Sequence, residues 1–369
     1  MMEDKGSRKN RELTFSEVLN QQTTWTDYSE FIGEVPSILK KEVFENSKSE
    51  KKLIEELRTS DAFRNLTIKN VGQNLTEAEN LLQEGKVVGV DGTMAKYQLL
   101  SGVRCQIGIV AVNYQGEKIR HSFFISQASL RDEAEEVLER IVQRAESDDN
   151  LSDMHLRGLM MYREREAGMN QRFEDKYILY HGPLLPFELM SGLGKLRALD
   201  ITLNLLEKLV RSKRVASIIS STSYKDYLYF GLALDTNQYL TSPYYTLANH
   251  LTHNADFLKY ANKWRADEKK RVEDFINDYA SQIMIGVIKI GHRPYVFHAH
   301  KDIFDLAAAI IARDSMFQKE KGFPLLIDYA DNLCSEYFSP SQFNQMIEWE
   351  LAKNGVYLTE MGERSMRVK

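Results

Sequence analysis

The chain has 369 residues, of which 43% are hydrophobic and 27% charged, and its formal net charge is -5. That balance supports one large or two ordinary globular domains and argues against both a disordered chain and a uniformly basic nucleic-acid coat. A nucleic-acid contact would have to be a local basic groove. The two cysteines, Cys105 and Cys334, lie in apolar contexts without a pairing motif, so neither a disulfide framework nor a zinc site is expected. Met1 to Glu12 is polar, and no apolar run approaches the length of a membrane span; a cytoplasmic setting, with no membrane, is the expectation.

In chain order, residues 13–85 read as polar helix. Apolar positions at Phe15, Val18 and Leu19, then from Phe31 to Phe44, then at Leu53, Ile54 and Leu57 are separated by charges. This predicts an N-terminal helical extension, residues 1–85, ahead of a core over residues 86–369. The extension either packs on the core or serves as a docking arm. The core opens on Lys86-Val87-Val88-Gly89-Val90-Asp91-Gly92-Thr93. Three valines in four residues predict a buried strand that ends at Asp91-Gly92. Asp-Gly is a common turn dipeptide, and an aspartate at a strand end can equally hold a divalent cation.

Strands are expected near 97–112 and 118–126, with a hairpin at Gln115-Gly116-Glu117. Arg131 to Ala145 has helix spacing, and a second helix is expected from Asp153 to about Gln171, carrying Arg163-Glu164-Arg165-Glu166. Lys176 to Tyr180 then reads as a strand ending in His181-Gly182-Pro183, which echoes Asp91-Gly92. A long helix, Gly192 to Arg214, closes in Lys208, Arg211, Lys213 and Arg214. That cluster is either a solvated helix end or a DNA-binding phosphate patch. Val215 to Ser220 is another strand, whereas residues 236–275 allow no assignment.

Ile283 to Ile290 and Tyr295 to His300 form a strand pair, with His298 and His300 on one side at a spacing that can bind metal. No neighbouring carboxylate or cysteine completes that site. A helix over 304–312, the segment Gly322 to Asp331, a tail helix from Ser341 and a short strand at Val356-Tyr357-Leu358 follow. No Walker loop is present, so any ATP-driven motor must be a separate subunit.

Taken together, a strand followed by Asp91-Gly92-Thr93, a helix bearing a glutamate, a strand ending in X-Gly-X-Leu and a late Gly-aromatic-Pro followed by Ala-X resemble, in order, the NurA nucleases. The resemblance implies an α/β, RNase H-like (PIWI-like) mixed-sheet core with flanking helices. It also implies a homodimer, a Mn2+- or Mg2+-dependent nuclease acting on DNA ends in repair or phage defence, and a HerA-type hexameric ATPase as partner. On these motifs Asp91 matches the family's first aspartate, and Glu164 is the helix glutamate, with Glu166 its rival.

Two positions depart from the pattern. His181 stands where the family has aspartate, and Asp331 where it has histidine; Phe323 replaces a tyrosine. If these positions converge, one carboxylate and one imidazole have exchanged places. That exchange favours manganese or a single firmly held ion. The expected catalytic and metal-binding set is therefore Asp91, Glu164, His181 and Asp331. The alternative expectation is a NurA-like adaptor that binds translocase and DNA without cleaving, and action on RNA is a third.

Overall fold

The structure, a computed structural model, describes residues 28–99, 102–126, 149–193, 198–221, 224–254, 257 and 264–356. The chain divides into two compact units, residues 1–58 and 59–369. The first is represented by helix α1, Tyr28–Thr59, which carries Pro36 internally. Its Ile32, Leu39, Val43 and Phe44 are each more than half exposed. The expected apolar positions at Phe15 to Leu19 lie outside the described residues.

The second unit begins at Thr59. Strand β1, Thr67–Asn70, pairs antiparallel with β7, Gln238–Thr241, and helix α2, Leu75–Gln83, buries Ala78 and Leu82 in the main core. All four β1 residues are exposed, so this strand has no apolar alternation by which to recognise it.

One mixed nine-stranded sheet organises the unit, in the order β1-β7-β8-β9-β6-β5-β2-β3-β4. At its centre β2 (Val87–Leu99), β5 (Tyr177–His181) and β6 (Val215–Ile219) run parallel, and every other pairing is antiparallel. The Asp91-Gly92 strand end expected from the sequence is corrected here. β2 continues through it and pairs with β3, Gly102–Val112, placing Asp91 opposite Val110 and Gly92 opposite Ile109. What ends near Asp91 is the parallel ladder, because β5 covers only Val87 to Val90. β2 therefore outruns its parallel neighbour, and its far half forms a hairpin arm bordered by β3 and β4, Lys118–Ser126.

The remaining strands β8 (Ile283–Ile290) and β9 (Arg293–His300) form the expected hairpin. The unassigned stretch 236–275 contains β7 and two helices, Leu247–His253 and Ala266–Asp278. The helix carrying Glu164 is α3, Asp149–Gly168, and the one closing in the basic cluster is α4, Leu199–Arg211, shorter than expected. The helix anticipated at Arg131 to Ala145 falls outside the described residues, as do Tyr357 and Leu358, while Val356 lies in no strand. No helix among the described residues is long and apolar enough to cross a membrane.

Two helices sandwich β2. On one face lies α9, Leu325–Tyr337, so close that a Cβ on Gly89 would sit 2.8 Å from the Leu326 carbonyl oxygen. On the other lies α3, where a Cβ on Gly92 would meet Met160 and Glu164.

Helix α9 is pinned at both ends. Pro324 gives it no side-chain cap, but Asp314 of α8, Phe304–Ser315, accepts the Leu326 N–H at 2.8 Å and the Tyr114 hydroxyl at 2.5 Å. At the other end buried Phe338 covers Gly108 of β3, where an added Cβ would lie 2.0 Å from the ring. Gly108→Ala should consequently cost about 1–3 kcal/mol, as overpacking of a filled core does. A lower denaturant midpoint that Phe338→Leu partly restores in the double variant would show that the cost is this one contact.

Candidate active site

Asp91, just past the end of the parallel ladder on β2, and His181 and Ser220, at the carboxyl ends of β5 and β6, lie in the region where open α/β sheets bind ligands. Past Val90 the β5 side of β2 carries no strand, and there the functional side chains gather. Asp91 is only 6% exposed. Its Oδ1 accepts the Gly92 N–H at 2.9 Å and lies 3.4 Å from His181 Nδ1.

Glu164 approaches β2 from α3 and is buried. The route is opened by a missing side chain: a Cβ at Gly92 would stand 2.6 Å from Glu164 Oε1. Gly92 has no positive φ, so glycine serves close approach here rather than a turn. Burial drives the Glu164 carboxyl up to about 7, and the Asp91 charge adds to the rise, while Arg165 and His181 oppose it.

Arg165 is a buried arginine that the sequence reading passed over. Its guanidinium donates to Glu164 Oε2 and to the Pro183 carbonyl just after β5, and it lies 5.0 Å over the Tyr180 ring. The Tyr180 hydroxyl donates back to the Arg165 carbonyl at 3.2 Å. The outer half of the Arg163-Glu164-Arg165-Glu166 run is solvated: Glu166 is exposed and paired with Arg163 at 2.5 Å.

His181 ends β5, and Gly182 then adopts φ +81°, the left-handed turn that lets Pro183 redirect the chain. Its Nε2 lies 2.9 Å from Ser220 Oγ, and its ring meets Phe323 edge-on at 5.6 Å. Burial works against an imidazolium here. The hydrogen bond and charge of Asp91, with Glu164 and Asp331 adding, outweigh it and raise the His181 pKa above its ordinary value.

Asp331 belongs to the middle of α9 and is exposed. Its carboxyl is raised by partial burial first, then by Asp91 and Asp328, against His181 and Lys321. One turn further along α9, the buried Cys334 thiol donates to the Asp91 carbonyl at 3.4 Å. Phe323 offers no hydroxyl and forms an apolar wall beside His181.

The four basic residues lie elsewhere. Lys208, Arg211, Lys213 and Arg214 precede β6, at the opposite end of the sheet from His181 and Ser220. Lys213 pairs with Asp302 at 3.0 Å, and Arg211 bonds the Tyr279 hydroxyl. His298 and His300 are separate buried fixtures: His298 Nδ1 accepts the Leu184 N–H at 3.4 Å, and His300 contacts Gln282 at 3.2 Å.

Two carboxylates and an imidazole form a donor set suited to a hard divalent cation or to manganese. Among the described residues no three His, Cys, Asp or Glu side chains close into an ion-holding arrangement. Here Asp91 Oδ1 faces His181 and Glu164 Oε2 faces Arg165, so internal cations take one oxygen of each. The donor chemistry, rather than the present spacing of the side chains, fits an ion.

No protein-family model matches the sequence, and no curated protein matches it. Among solved structures the chain is similar to the NurA nuclease from Sulfolobus solfataricus, at 12% identity and a TM-score of 0.52, over 89% of this chain and 98% of that one. A NurA structure with manganese is matched at 12% identity and a TM-score of 0.48, over 85% and 98%. The mixed sheet with its flanking helices is thus the fold of the Sulfolobus NurA nuclease.

Proposed function

We propose that this chain is a divalent-metal-dependent deoxyribonuclease of the NurA kind, built on an RNase H-like core, with Asp91, Glu164, His181 and Asp331 as its centre. One observation carries the reading: at the end of the parallel ladder Asp91 lies beside His181, and Glu164, far away in sequence, is buried over Gly92 within electrostatic reach of both. The fold shared with a NurA nuclease and the order of the motifs support it. Asp91, Glu164 and His181 would hold Mn2+ or Mg2+, and Asp331, which feels the charges of Asp91 and His181, would complete the set. A bound ion there supplies charge stabilisation at the phosphoryl oxygens and lowers the pKa of water.

The chain's own residues position this chemistry. Arg165 holds Glu164 in a single orientation and ties it to the turn after β5. Ser220 fixes the His181 ring from the side opposite Asp91. Phe323 keeps water off one edge of that ring and takes no part in proton transfer. The substrate is DNA, processed from its ends by a homodimer that works in the cytoplasm with a HerA-type ATPase, in repair or phage defence. Lys208, Arg211, Lys213 and Arg214 would be a remote phosphate contact, because they lie at the far end of the sheet.

The second reading, an adaptor that binds without cleaving, is favoured by one observation. Both carboxylates already face an internal cation, His181 or Arg165. Activity separates the two readings. Purified protein with Mn2+ should degrade linear DNA, and Asp91→Asn should lower the rate by roughly 100-fold or more while its circular dichroism spectrum shows the fold retained. If the wild-type chain binds DNA but cleaves neither DNA nor RNA with Mn2+ or Mg2+, the adaptor reading stands.

The pKa shifts give a further expectation for metal-free protein. The stabilisation from His181, whose folded pKa is raised, is present below its unfolded value of about 6.5 and is lost as pH rises through the folded value. Glu164 acts in the same direction: between 4.5 and about 7 the folded carboxyl keeps a proton that the unfolded one has released. In EDTA the Tm should therefore fall as pH rises from about 5 to 8. Glu164→Gln should flatten that fall, and Mn2+ should restore more stability at the upper end than at the lower, measured by thermal melting.

A further inference from the structure

The strongest cations on the active-site side are not the four that the sequence singled out. β9 runs antiparallel to β6, with Ile219 opposite Val296, so Arg293 at the start of β9 lies beyond the carboxyl end of β6. Its guanidinium donates to the carbonyl of Ser220 at 3.2 Å, and the hydroxyl of that same serine contacts His181 at 2.9 Å. One residue thus separates an exposed arginine from the histidine of the site. The guanidinium also lies 5.1 Å over the Tyr295 ring, a contact that orients its plane.

Lys321 approaches from a second direction. Tyr295 packs on Phe323 at 5.5 Å, and its hydroxyl donates to the Lys321 carbonyl at 3.2 Å. The Lys321 ammonium lies 5.9 Å over Phe323, the ring that walls His181. It pairs with Asp328 at 2.5 Å yet keeps 61% of its side chain exposed. Lys319 is exposed in the same turn, with Glu320 the one acid between them. The backbone there closes on the β8–β9 hairpin, since a Cβ on Gly291 would be 3.8 Å from the Lys319 carbonyl oxygen.

We propose that Arg293 and Lys321 form a phosphate clamp, binding the backbone of a nucleic-acid strand on the β9 side of His181. The inference rests on the reading of the site as a nuclease centre and adds to it the path of the substrate. Arg293 is the principal contact, because its charge is not shared with a carboxylate among the described ion pairs. Lys321 is secondary, its charge being divided with Asp328. The ligand is the phosphodiester backbone common to DNA and RNA, which predicts affinity that falls with salt and varies little with base sequence.

The test uses the full chain carrying Asp91→Asn, with fluorescence anisotropy on labelled single-stranded DNA, duplex DNA and RNA oligonucleotides in EDTA. Arg293→Gln in that background should weaken binding about 5- to 20-fold at low salt and reduce the log-log salt slope by about 0.7 to 0.9 for one lost phosphate contact. Lys321→Gln should give a smaller loss. Arg293→Lys, which keeps the charge, should recover most of the affinity, whereas a merely structural bond to Ser220 would not be rescued.

Binding and slope unchanged in Arg293→Gln would overturn the clamp, as would Arg293→Lys binding as poorly as Arg293→Gln or a parent protein that binds none of the three oligonucleotides. Cleavage by the wild-type chain, assayed in parallel with Mn2+, separates this inference from the one beneath it. An inactive chain with Arg293-dependent binding keeps the clamp and removes the nuclease. An active chain with Arg293-independent binding does the reverse.

Discussion

Everything at the candidate site depends on the burial of two carboxyls, Asp91 on β2 and Glu164 over the space that Gly92 leaves open, near enough to feel each other's charge. Two carboxylates brought together in a low-dielectric interior repel, and each carries a desolvation cost that water no longer offsets. The chain answers this locally. Arg165 takes one oxygen of Glu164, and His181 takes one of Asp91. These cations are themselves fixed, Arg165 by Tyr180 and Pro183, His181 by Ser220 and Phe323. The cluster is a balanced set of charges rather than a bare acidic pit.

That balance extends to the two residues flanking Asp91. The imidazole at the end of β5 puts beside it a group able to carry a positive charge. Asp331 puts a carboxylate on the exposed side, from a helix pinned by Asp314 and by Phe338. Negative charge is therefore divided between the buried side of the site and its rim. Such an arrangement tolerates the metal-free state, since neither buried carboxylate then lacks a counter-charge.

Much of the sheet was legible in the sequence, for reasons that also explain the misses. β5, β6, β8 and β9 are short apolar runs bounded by turn residues, and buried strands read that way. β1 is wholly exposed and has no such signal. Asp91-Gly92 misled because the dipeptide favours turns, whereas here glycine is needed for what approaches it from α3. Glu164 and Glu166 could not be told apart by spacing alone. The packing of α3 separates them, burying one over Gly92 and leaving the other paired with Arg163 in solvent. Arg165, Ser220 and Arg293 escaped notice because their roles come from strand order, which places β5 between β2 and β6 and β9 beside β6.

The central claim is that Asp91 and Glu164 form one ion-binding centre whose geometry Gly92 permits. Calorimetric titration of Mn2+ into wild-type protein and into Asp91→Asn, Glu164→Gln and Gly92→Ala tests it without recourse to activity. The account predicts a site in the wild type that is lost in the first two variants and weakened in Gly92→Ala, where the new Cβ pushes Glu164 aside. Mn2+ binding of equal affinity in all four proteins would contradict it.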